Sequence, residues 1–284
     1  MPEQIGRQAI VFPCNDTSLV GVADIPSHPQ ATALLVVTGG PQYRVGSHRQ
    51  FALLCRTAAQ AGFAAMTFDF GGSGDSTGPR RHFEKLDADI RSAIDTLLLT
   101  VPQARQVVLL GLCDGASATM MYAASDPRVV GLVLLNPWVR GSGTLEQARV
   151  VSYYPSRLTS VSFWKKLFTG KVKLGNSLRS YFANRRAAAR AGKAVPDYVQ
   201  RMQTGLEGFT GPVLLVLSGN DMTASEFSEL LATSAAWRKR FARPDCALHE
   251  IESANHTFSR AQWRDEVAGR TVTFLQQLRA GSDQ

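Results

Sequence analysis

Five stretches of the chain are apolar with almost no alternation: ATALLVVT at 31–38, FAAMTFDF at 63–70, RQVVLLG at 105–111, VVGLVLLN at 129–136 and PVLLVLSG at 212–219. A strand with one wet face alternates polar and apolar residues, so strands apolar throughout must be covered on both faces. Helical patterns fall between and after them, near 47–61, 83–99, 114–125, 224–240 and 261–279, with a further short strand at 246–252. Ahead of them, β-like stretches at 8–12 and 18–25 flank the turn Pro13-Cys14-Asn15-Asp16 and suggest a hairpin. Strands and helices alternating at this spacing predict an α/β fold, a mostly parallel central sheet with helices on both faces.

The alternation is broken once. Residues 138–207 have helical composition and many basic side chains but no strong strand, and the span is too long for an ordinary crossover. The reading is an N-terminal core part at 1–137, an inserted basic helical cap at 138–207, and the remaining core at 208–284. Such an insertion belongs over the carboxyl ends of the strands, where open α/β sheets place their active sites.

The third apolar stretch runs into Gly111-Leu112-Cys113-Asp114-Gly115 and then a helix of small residues. Gly-x-nucleophile-x-Gly between strand and helix is the spacing of a nucleophile elbow, here with cysteine where serine is usual. Cys14, Cys55 and Cys246 lack that context and read as small buried hydrophobes. None of the four cysteines shows metal-ligand spacing, and a chain of 284 residues needs no disulfide framework.

The order nucleophile, acid, histidine is that of the α/β-hydrolases, and here it selects Cys113, Asp221 and His256. Asp221 follows the fifth apolar stretch; His256 lies in the loop before the last helix. A thiol needs a neighbouring imidazole to take its proton, and a carboxylate on the other ring nitrogen fixes the tautomer. His249, inside a strand, and His28, His48 and His82 compete less well for the base; Glu226 and Asp245 compete for the acid, while Asn136 removes one common rival position.

The oxyanion of acyl transfer requires two backbone donors. The expected pair is the N–H of Asp114 and that of Gly40, since Pro41 has none. Losing one such donor typically costs about 2.7–4 kcal/mol of transition-state stabilisation. The Asp114 side chain reads as a helix N-terminal acid whose charge partly opposes thiolate formation. Tyr43, Arg44 and Trp138 flank these loops and are expected to meet substrate. In the cap, SVSFWKKLFTGKVKL at 160–174 sets Phe163, Trp164, Leu167 and Phe168 on one helical face, so Phe163, Trp164 and Phe168 join that list.

Net charge is +8, yet residues 140–205 hold thirteen basic side chains against Glu146 and Asp197, a local +11 that leaves the rest at −3. The plain account is a lid helix packed on the core with its lysines solvated. The sharper one is a lid lining an acyl pocket, its surface attracting an acidic acyl carrier protein, coenzyme A or a phospholipid surface. No nucleic-acid recognition motif accompanies the charge, and no motif calls for a cofactor or a metal. No stretch reaches the roughly 18 apolar residues of a membrane span, and the N-terminus lacks a signal-peptide core, so a cytoplasmic protein is expected.

Beyond the elbow, the blocks GGPQYRVGSHRQ (39–50), FDFGGSGDS (68–76), GLCDGAS (111–117), LVLLNPWVR (132–140) and FWKKLFTGKV (163–172) resemble the exosortase A system-associated hydrolase 1 family of α/β-hydrolases over nearly the whole chain. The genes of that family accompany exopolysaccharide and exosortase loci, often near acyl-carrier and acyl-activating genes. The resemblance therefore implies acyl-group chemistry. The expected activity is cleavage of an acyl ester or thioester through an acyl-cysteine. Transfer of the acyl group to an amine or hydroxyl, and a non-catalytic binding module on the same scaffold, are the alternatives.

Overall fold

A computed structural model describes residues 4–40, 42–139 and 197–282. The hairpin is longer than its sequence signal: β1 (Ile5–Cys14) and β2 (Thr17–Pro26) pair antiparallel along their full length. The five apolar stretches become β3 (Thr32–Val37), β4 (Ala65–Asp69), β5 (Gln106–Leu112), β6 (Val129–Leu135) and β7 (Val213–Ser218), and β8 (Cys246–Ile251) closes the series. They form one eight-stranded sheet in the order β1-β2-β4-β3-β5-β6-β7-β8, parallel from β3 to β8.

Uninterrupted apolarity has a direct structural cause. Alternate residues of the same strands enter different cores: Leu35, Val37, Leu109 and Leu134 on one face, Leu34, Val36, Leu110 and Leu135 on the other. The second face is covered by α1 (Gln50–Gln60) and the C-terminal helix, Ala261–Ser282. The first is covered by α2 (Asp87–Thr100), α3 (Asp114–Tyr122), α4 (Asp197–Gly208), α5 (Met222–Thr233) and α6 (Ala235–Phe241). The C-terminal helix is α7. Among the described residues no helix is long and apolar enough to cross a membrane.

Two elements differ from expectation. The single helix expected over 224–240 is α5 and α6, separated at Ser234, whose backbone is extended (φ −96°, ψ 121°). The break turns Trp237 and Phe241 back onto Phe227, with ring centroids 5.5 and 6.0 Å from it. Further, α4 falls within the span assigned to the cap but packs on α3, burying Tyr198, Val199, Met202 and Leu206 in the core. The expected boundary at 207 therefore places a core helix on the cap side. The rest of the expected cap, from 140 to 196, lies outside the described residues.

The topology positions a site. From β3 the chain moves outward to β4, then returns past β3 to β5 and continues in the opposite direction. The crevice at the carboxyl ends of β3 and β5 is thus the switch point, the place where open α/β sheets bind ligands. The loop at 38–44 and Cys113 stand on its two sides.

Candidate active site

Cys113 sits between β5 and α3 with φ 60° and ψ −125°, a conformation that L-residues avoid. Such strain costs about 1–3 kcal/mol and persists only where the surroundings enforce it. Here the Cys113 N–H donates to the Leu135 carbonyl (2.9 Å), while its own carbonyl accepts from the Ser117 and Trp138 N–H groups, both at 3.2 Å. The flanking glycines serve close approach. A Cβ on Gly111 would collide with the backbone of Ala116, and one on Gly115 with the Val37 carbonyl, so α3 could not start against β3.

The three residues selected by chain order are brought together. Asp221 caps α5, accepting from the N–H groups of Thr223 (3.3 Å) and Ala224 (3.1 Å), and its Oδ2 lies 2.7 Å from His256 Nδ1. Cys113 is near enough to the same imidazole to favour its charged form. Burial disfavours a charged His256, but its hydrogen bond to Asp221 and the neighbouring Cys113 outweigh that cost and push its pKa up to about 10. The imidazole is therefore held protonated at neutral pH.

The competing groups have other work. His249 pairs with Glu266 at 2.7 Å, and Asp245 pairs with Arg243. Cys14 and Cys55 are buried, and burial drives the Cys55 thiol pKa far upward, so that sulfur is inert. Among the described residues no three His, Cys, Asp or Glu side chains cluster as a metal site requires.

Asn136 has a role that its sequence context did not reveal. Buried at the end of β6 with φ 44°, it donates to Ser218 Oγ (2.9 Å) and the His256 carbonyl (3.0 Å) and accepts from Ser218 N–H (2.8 Å). Ser218 Oγ then donates to the Asn255 carbonyl (2.9 Å). This network fixes the loop carrying the imidazole to the ends of β6 and β7. A polar residue directly after a buried strand was the available signal.

Gly40 is left-handed (φ 60°), and its N–H points at Asp114 Oδ1, 2.5 Å away. The expected second oxyanion donor is thus engaged by a carboxylate of its own chain. Burial raises the Asp114 pKa, opposed by the backbone N–H groups of Gly40, Gly115 and Asp114 itself. Arg44 braces the same loop. Its guanidinium lies 2.5 Å from Asp69 and 2.8 Å from Asp75, and Tyr43 stacks on it and hydrogen-bonds Asp75. The charge expected to meet substrate is therefore committed to the scaffold. Trp138 is partly buried against the core, its carbonyl accepting from Ser117 Oγ (2.7 Å). Phe163, Trp164 and Phe168 lie outside the described residues.

Residues 34–270 match the model of the alpha/beta hydrolase family. The chain belongs to the alpha/beta hydrolase family. Solved structures agree on the fold. An esterase of Pyrococcus furiosus superposes with a TM-score of 0.65 at 15% identity, covering 96% of this chain and 93% of its own. A dienelactone hydrolase of Anabaena variabilis gives 0.62 at 15%, covering 96% and 98%. A proline iminopeptidase of Mycobacterium smegmatis gives 0.63 at 18%, covering 97% and 100%. No protein of curated function matches the sequence significantly. Within this family of hydrolases, the cysteine distinguishes the chain from the serine usual at the elbow.

Proposed function

We propose that this alpha/beta hydrolase cleaves an acyl ester or thioester through a covalent acyl-cysteine on Cys113. One observation carries the reading: Cys113 is held at φ 60° on the elbow beside the His256 imidazole, whose Nδ1 lies 2.7 Å from Asp221 Oδ2. The sulfur attacks the acyl carbon, giving a tetrahedral oxyanion. Collapse forms the Cys113 thioester and breaks the bond to the leaving group, which takes its proton from His256. The neutral imidazole then removes a proton from water as its oxygen attacks the thioester. The carboxylic acid departs and the thiol is restored.

The resemblance of five sequence blocks to the exosortase A system-associated hydrolase 1 family favours a donor from acyl-carrier chemistry. The +11 charge of residues 140–205 favours an anionic one, such as an acyl group on an acidic carrier. Purified protein treated with p-nitrophenyl acyl esters and acyl thioesters should release product, and intact-mass measurement should find an acyl adduct mapping to Cys113. Cys113→Ala should lose both. Full turnover in Cys113→Ala, or an adduct on another residue, would remove Cys113 as nucleophile.

A further inference from the structure

We infer that the Asp114 carboxylate is an internal occupant of the oxyanion hole, which an acyl donor must displace before Cys113 can be acylated. The inference rests on the acyl-cysteine reading above and concerns the control of the same site. Two features of the loop after β3 are built around this carboxylate. Gly40 takes a left-handed conformation with its N–H directed at Oδ1 (2.5 Å), and a Cβ there would meet nothing within 4 Å among the described residues. At Gly39 the opposite holds: a Cβ would collide with Asp114 Oδ1 and the Leu112 carbonyl. The chain thus omits a side chain where the carboxylate lies and turns an amide toward it.

The donors engaged are those an oxyanion requires. Gly40 lies on the loop after β3, and Asp114 is the residue after the nucleophile. Backbone N–H groups of Gly40, Asp114 and Gly115 all stabilise the charge on the carboxylate, and so would stabilise the charge on a tetrahedral oxygen. The two anions therefore compete for one set of donors. The carboxylate is poorly placed to win outright. It is partly buried, and burial works against its ionised form. A bound acyl group that brings its own contacts can replace it. The Asp114 side chain then swings away while its N–H remains in the hole.

The resting enzyme is consequently closed to weakly bound acyl groups. Neutralising or deleting the carboxylate should open the site. Acylation of Cys113 by p-nitrophenyl acetate, followed by intact mass under single-turnover conditions, should be about tenfold faster or more in Asp114→Ala than in the native protein, the factor that roughly 1.4 kcal/mol of displaced hydrogen bonding represents. Asp114→Asn, which fills the same volume without charge, should fall between them and serves alone if the alanine variant is unstable. Acetate supplies a second readout. It should slow acylation of Asp114→Ala by refilling the vacated hole, and leave the native rate unchanged.

Variants acylated at Cys113 no faster than the native protein would make Asp114 a brace of the loop and overturn the inference while leaving the acyl-cysteine reading intact. Acceleration without acetate sensitivity in Asp114→Ala would also overturn it, since the hole would not have been the site of competition. If even the native protein forms no adduct on Cys113, the acyl-cysteine reading fails first and takes this inference with it.

Discussion

His256 carries the balance between burial and hydrogen bonding that governs the site. Its pKa in the folded protein is about 10, against about 6.5 for a free imidazole. The folded state therefore holds a proton that the unfolded chain releases between those values, and the linked stability runs in one direction. It is fully present below about pH 6.5 and is lost as the pH rises through about 10. Urea midpoints measured from pH 6 to 10 should fall more steeply for the native protein than for His256→Gln; parallel curves would contradict the raised pKa. Chain order and strand-end position alone are enough to pick out Cys113, Asp221 and His256 in the amino-acid sequence. Asn136 is not legible in that way, because its partners Ser218 and His256 become neighbours only when β6 and β7 pair and the last loop folds back. Nor is the direction of the Asp114 side chain, which spacing along a sequence does not encode.

Strands were more legible than helices, for a physical reason. A strand covered on both faces must be apolar at every position, and β3, β5 and β7 announce themselves in that way. A helix break is set by what the helix packs against. Nothing in the composition of 222–241 marks Ser234, whereas the aromatic cluster of Phe227, Trp237 and Phe241 requires the chain to turn there. That cluster should be energetically large, since Trp237 is 2% exposed. Trp237→Ala should cost about 3–5 kcal/mol in urea denaturation. A cost below about 1 kcal/mol would mean that α6 packs by some other contact. Similarly, helical composition near 197–208 was visible, but its place against α3 was not, because the apolar face of a lid and that of a core helix have the same periodicity.

At the scale of the molecule, charge is divided between a core near neutrality and a strongly basic span. If that span draws in an anionic acyl donor, the attraction must weaken with salt. From about 0.01 M to about 1 M the screening length shrinks from about 30 Å to about 3 Å. Over that range kcat/KM for an acyl group on an acidic carrier should fall at least severalfold, while that for p-nitrophenyl acetate should hold steady. Equal salt responses would remove the charge from substrate capture. The fold class was legible at this scale from the repeated strand and helix alternation. The limit of the expected cap was not, since helical composition continues from the basic span into α4.

The proposed triad is divided along the chain: Cys113 belongs to the first part of the sheet, whereas Asp221 and His256 arrive with β7, β8 and the loop before α7. During synthesis the sulfur emerges well ahead of its base. Domains tend to assemble from the N-terminal end as they are made, so a nascent chain with β1 to β6 in place would expose a thiol that has no imidazole to activate it. If Cys113 is the nucleophile proposed above, chemical reactivity is the last property the molecule acquires, arriving only when the final loop closes on Asn136 and Ser218.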